Sequence, residues 1–131
     1  MSTRNKKDAI GQEILAYFEG RDSFEICERD DGWIALSGGA KAYFAEPKDW
    51  PGFQKRGLRF ARGRVLDVGA GAGRVSLYLQ DKGLDVLAID TSPLAIQVCK
   101  KRGVKRARVL SFDQVGALPD HLSSPGHAFR Q

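Results

Sequence analysis

Asp67-Val68-Gly69-Ala70-Gly71-Ala72-Gly73 sets three glycines at alternate positions behind a carboxylate, between the apolar run Arg64–Val68 and a helical pattern over Arg74–Lys82. Glycines there let the backbone turn sharply and let a ligand approach the main chain. A helix that starts directly behind such a turn offers unpaired N–H groups to whatever occupies the crevice. A second acid, Asp90, closes the next apolar run, Asp85–Ile89. It follows the loop at about the 20-residue spacing at which an acid grips a ribose diol. Strand, glycine turn, helix and downstream acid together point to a nucleotide-type ligand.

The dinucleotide fingerprint requires glycine or alanine at its sixth position. Counted from Gly69 that position is Arg74, and counted from Gly71 it is Ser76, so neither register fits. Asp67 would also repel a pyrophosphate, whereas a carboxylate there attracts a cation. S-adenosylmethionine carries two positive centres, a sulfonium and an α-ammonium.

Val65-Leu66-Asp67-Val68-Gly69-Ala70-Gly71-Ala72-Gly73 resembles the first motif of class I S-adenosylmethionine-dependent methyltransferases. That resemblance implies a doubly wound, Rossmann-like α/β fold with S-adenosyl-L-methionine as cofactor. It implies cofactor contacts from Asp67, Gly69, Ala70, Gly71, Gly73 and Thr91, from Asp90 at the ribose, and from Asp113, after the third strand, at the adenine. The motifs cover about residues 64–118. Asp30-Asp31-Gly32-Trp33, Ala40–Phe44 and Asp49-Trp50-Pro51 are similar to the N-terminal extension of some bacterial members, which folds over the cofactor. Tyr43 and Phe44 are then candidates for lid contacts, with aromatic core packing as the other reading; Arg74 is a candidate for a carboxylate or for solvent.

These residues need elements to hold them. Ile10, Ile14, Leu15, Tyr17 and Phe18 fall at helical spacing before Gly20. Residues 23–28 and 33–36 alternate about the turn Asp30-Asp31-Gly32, which predicts a hairpin. A short basic helix is expected from Phe53 to Ala61. Ser92 and Pro93 begin a helix that Gly103 ends, and Ala107–Leu110 reads as a third strand. The expected fold is thus the N-terminal half of a doubly wound parallel sheet over residues 62–115, preceded by a helix and hairpin extension (1–61) and followed by an irregular tail (116–131).

Nothing from Gly116 onward shows periodicity, so three strands and no fourth are expected, with the chain reading as truncated at its C-terminal side. Loss of a fourth strand would leave the first strand of the sheet as an open edge and invite self-association. The acceptor side of such a methyltransferase would then be missing; the methyl acceptor is unspecified, and His121 and His127 are weak candidates for a base.

At 131 residues, 42% hydrophobic and 28% charged, the composition fits one soluble domain and excludes a disulfide-dense scaffold. No apolar run reaches the roughly 20 residues of a membrane span, and Met1–Lys7 has no apolar stretch behind it, which argues against a signal peptide. Cys27 and Cys99 sit in no metal or redox spacing, so no metal is expected and a reducing, cytoplasmic compartment is. The net charge of +5 raises the prospect of a nucleic-acid partner, but Lys100–Arg108 lacks the aromatic residues that single-strand binders interleave. A non-catalytic adenosyl-ligand module and an RNA-binding module are the alternatives to methyl transfer.

Overall fold

In the computed structural model the described residues are 8–21, 25–37, 39–117 and 127–130. The chain runs α1 (Ala9–Phe18), β1 (Glu25–Glu28), β2 (Ile34–Ser37), α2 (Gly52–Leu58), β3 (Arg64–Val68), α3 (Arg74–Asp81), β4 (Asp85–Asp90), α4 (Pro93–Arg102), β5 (Ala107–Val109) and β6 (His127–Arg130). Three 3-10 segments, Gly39–Phe44, Pro47–Asp49 and Phe112–Ala117, link them. None of the described helices is long and apolar enough to cross a membrane.

β1 and β2 form the expected antiparallel hairpin, Glu25 facing Ser37 and Glu28 facing Ile34. The other four strands make a parallel sheet in the order β5-β4-β3-β6. Along β3 the two-residue period puts Val65 toward α3, where it packs with Val75, Leu79, Val86 and Trp50. Leu66 turns the other way and packs with Leu87 and Ile89. Each such buried aliphatic side chain stabilises the fold by about 1.5–3 kcal/mol. These runs are apolar on both faces because both faces are covered.

α4 is bounded by the signals its sequence carries. The Ser92 hydroxyl accepts from the Ala95 N–H at 3.0 Å, Pro93 occupies the first turn, and Gly103 adopts φ +102° at the C-cap. Lys100, Lys101 and Arg102 occupy its last turn, where cations suit the exposed carbonyls. α1 lies against α4, with Ile14 in a cluster with Ala72, Ala95 and Val98.

Two expectations need correction. Residues 127–130 are not irregular tail: β6 pairs in parallel with β3 over Val65–Val68. The sheet therefore has four strands, and β3 is not an open edge there. Pairing of this kind is made by backbone groups, so the segment His127-Ala128-Phe129-Arg130 forms a strand with no apolar run to announce it. Gly116 and Ala117, expected in the irregular tail, instead close the 3-10 helix Phe112–Ala117. His121 lies outside the described residues.

Candidate functional site

The turn after β3 is closed by main-chain bonds before any ligand is considered. The N–H groups of Gly69 and Ala70 both donate to the Ile89 carbonyl, at 2.9 and 3.0 Å, which ties the loop to the end of β4. Gly71 has φ +57° and Gly73 +84°, the left-handed region that other residues avoid. A side chain at Gly71 would lie 2.8 Å from the Tyr43 ring, so the aromatic packs on bare backbone.

Asp90 organises the loop. One carboxylate oxygen accepts from the Gly71 N–H at 3.0 Å and the other from the Ser92 N–H at 2.9 Å. Asp8 caps α1 by accepting from Gly11 N–H at 3.0 Å, and its other oxygen accepts from the Ser92 hydroxyl at 2.8 Å and the Leu94 N–H at 3.2 Å. Ser92 thus bridges two carboxylates, its amide donating to Asp90 two residues before it and its hydroxyl to Asp8 at the start of the described chain. No local pattern reveals this: the helical periodicity near residue 8 suggests a cap, but its partner lies 84 residues away.

A cleft of about 690 Å³ opens above these groups, at the C-terminal ends of β3 and β4. Of the residues anticipated from sequence, Gly69, Gly71, Asp90, Thr91 and the lid candidate Tyr43 line it, joined by Asp8 and Ile10. Tyr43 also walls a second cleft of about 900 Å³ that includes Tyr17, Lys41 and Phe44. Among the described residues no group of three His, Cys, Asp or Glu is placed to hold a metal ion.

The other anticipated residues sit elsewhere. Asp67 is fully buried beneath the loop, where it accepts from the Ser76 hydroxyl at 2.7 Å. Ala70 packs with Ala88, Ile96 and Cys99, and Gly73 presses on Val104 and Cys99. Asp113 is exposed on its 3-10 helix and does not line this cleft. Phe44 stacks at 4.7 Å on Tyr17 and lies 4.8 Å from the Arg102 guanidinium, which donates to the Ala72 carbonyl at 2.7 Å. Arg74 is half-buried: it lies 5.0 Å over the Trp50 ring, donates to Gln54 at 3.1 Å and feels the charge of Asp67. Burial lowers the pKa of both arginines from its usual value.

Burial and the carboxylates around the loop leave an electrostatic signature. Cys99 is fully buried under the loop, its thiol 3.1 Å from the Gly71 carbonyl. Burial pushes its pKa from 9.0 up to about 12, and the negative charges of Asp67 and Asp90 add to the rise, against a smaller opposing effect of Arg102. In the unfolded chain this thiol ionises near its ordinary value, so above that pH the unfolded state has released a proton that the folded state keeps. Stability from this group is therefore complete below about pH 9 and declines as pH rises toward 12. Urea unfolding at about pH 8 and about pH 10 should show the decline, and Cys99→Ala should flatten it; equal slopes for the two proteins would refute the assignment.

Comparison with known proteins agrees with this geometry. Residues 65–129 match the family described as a methyltransferase domain. An uncharacterised methyltransferase of Mycobacterium tuberculosis is 38% identical over 66 residues, which are 50% of this chain and 25% of that protein. One from Staphylococcus carnosus is 59% identical over 32 residues, 24% of this chain and 16% of that protein. The solved structure of an S-adenosylmethionine-dependent methyltransferase from Bacteroides fragilis, in complex with S-adenosyl-L-homocysteine, superposes with a TM-score of 0.69 at 35% identity. That match covers 80% of this chain and 44% of the other. The chain thus spans about a quarter of the length of the mycobacterial relative. Over residues 65–129 the chain belongs to the class I S-adenosylmethionine-dependent methyltransferase family.

Proposed function

We propose that the chain binds S-adenosyl-L-methionine in the cleft above Gly69 and Gly71 and forms the cofactor side of an enzyme that methylates an unidentified acceptor. The observation that carries this reading is the position of the cleft. It lies where the glycine turn meets the ends of β3 and β4, with the Asp90 carboxylate at its rim. The B. fragilis structure, in complex with the demethylated cofactor, supports it.

The residues present fit the ligand. A carboxylate oxygen has capacity for a second donor, so Asp90 can accept from ribose hydroxyls while it holds the Gly71 and Ser92 amides. Gly69 has open space where a side chain would stand, which leaves the main chain accessible. Asp8 and Asp90 in the wall and Asp67 beneath bias the cleft toward a cationic ligand. Asp67 acts in this reading through space and by fixing Ser76, not by contact. Asp113 reaches the adenine only if the ligand extends past the described cleft. When bound, the cofactor supplies an electrophilic methyl group activated by its sulfonium; the chain's own part is to bind and orient. Residues 1–61 serve as the lid, through Tyr43, Ile10 and Asp8. The same reading places the protein in the cytoplasm, in keeping with the free Cys99 thiol.

Titration with S-adenosylhomocysteine should raise the melting temperature, and NAD should not. Asp90→Asn should weaken that binding about tenfold, the loss of a charged hydrogen-bond acceptor. A response to NAD with none to S-adenosylhomocysteine would overturn the cofactor; unchanged affinity in Asp90→Asn would remove Asp90 from it.

A further inference from the structure

We infer that the outer face of α2 is a docking surface for single-stranded nucleic acid, separate from the cleft and independent of the cofactor reading. α2 turns Leu58 inward, onto the cluster with Trp50 and Ala61. Its opposite face carries Phe53, Arg56, Gly57 and Phe60 at positions i, i+3, i+4 and i+7, the last in the turn that continues the helix. That spacing ordinarily marks a core-facing stripe. Here it points to solvent: Phe53 is 72% exposed and Phe60 71%. Seven residues at 1.5 Å each set the two rings about 10 Å apart on one side, with a glycine between them.

Charge identifies the occupant. Residues 50–66 hold five cations and no acid, as many as the formal net charge of the entire chain, +5. Arg64 leans toward Asp85 at 3.8 Å, which also accepts from Arg106 at 2.7 Å. Arg56 and Arg59 make no ion pair with any described residue. Beside the stripe is a hollow of about 320 Å³ lined by Arg59, Arg62 and Lys82 over an apolar floor of Leu58, Leu79 and Leu84. Among the described residues no carboxylate lines it. Guanidinium forks beside a carboxylate-free hollow suit a phosphate, and flat exposed rings suit bases, which stack with little regard to sequence. A second copy of the chain would meet this face with like charge. An anionic membrane would want a broad apolar face on a longer helix, where α2 offers one ring, Phe53, and the turn after it a second, Phe60.

Fluorescence anisotropy with a labelled oligouridylate of about twelve nucleotides tests the inference, with flotation on phosphatidylserine vesicles as the second arm. Expected is binding that weakens with salt, with a logarithmic slope of about −2 to −3 for three or four phosphate contacts. The double variant Phe53→Ala/Phe60→Ala should lower affinity about tenfold or more and leave the salt slope unchanged. Arg56→Gln/Arg59→Gln should make the slope shallower by about 1 to 1.5. Phe53→Tyr, which keeps a ring, should bind normally, and S-adenosylhomocysteine titration of every variant should match the parent. No binding at low salt, binding that the variants leave intact, or vesicle binding without oligonucleotide binding would each overturn it.

Discussion

Gly73→Ala should destabilise the protein by about 2–5 kcal/mol, a large part of the 5–15 kcal/mol that a domain of this size has in total. Two costs combine. Gly73 caps α3 at φ +84°, a conformation that costs an alanine about 1–2 kcal/mol. The added methyl would stand 2.7 Å from Val104 Cγ2 and 3.2 Å from Cys99 Sγ, and both neighbours are buried with nowhere to move. Overpacking of that kind costs about 1–3 kcal/mol more. Gly69→Ala is the control. Its φ of +69° carries the same backbone strain, yet nothing stands within 4 Å of the new methyl. Urea midpoints should therefore fall in the order parent, Gly69→Ala, Gly73→Ala. Equal loss in the two variants would mean that backbone strain alone matters and that the close packing of α4 under the loop has no energetic weight.

The difference between those two glycines shows where sequence reading stops. That the loop joins strand to helix is local information, carried by the apolar run before it and the helical pattern after it. The caps of α4 are local too, since Ser92, Pro93 and Gly103 act within one turn of their own position. Which glycine is crowded and which is open depends on Val104 and Cys99, some 30 residues on, and no motif records it. Asp67 is a case in which the information was present but outweighed. It shares a face of β3 with Val65, the face covered by α3, so strand alternation alone puts its carboxylate under the helix and away from the cleft. β6 is the opposite case. Its pairing to β3 depends on backbone groups that every non-proline residue carries, and its four residues have no pattern to read.

Asp8→Ala should have the second large effect, and on two readouts together. The substitution removes the acceptor for the Gly11 and Leu94 amides and for the Ser92 hydroxyl in a site where Asp8 is only 8% exposed. Loss of the helix cap costs about 1 kcal/mol, and loss of the charge-assisted bonds to α4 brings the total to about 2–4 kcal/mol. Because Asp8, Ala9 and Ile10 form one wall of the cleft, loosening α1 should also weaken S-adenosylhomocysteine binding, by about tenfold. Gly11→Ala attacks the same joint from the other side, since a methyl there would collide with the Ser92 hydroxyl and the Asp8 carboxylate. The two variants should therefore look alike in hydrogen exchange, with protection lost over Ala9–Phe18 and kept in β3 and β4. If Asp8→Ala lowers affinity while α1 keeps its protection, Asp8 touches the ligand directly. If it frees α1 and leaves affinity intact, the N-terminal helix is no part of the binding site, and the lid assigned to residues 1–61 loses its anchor.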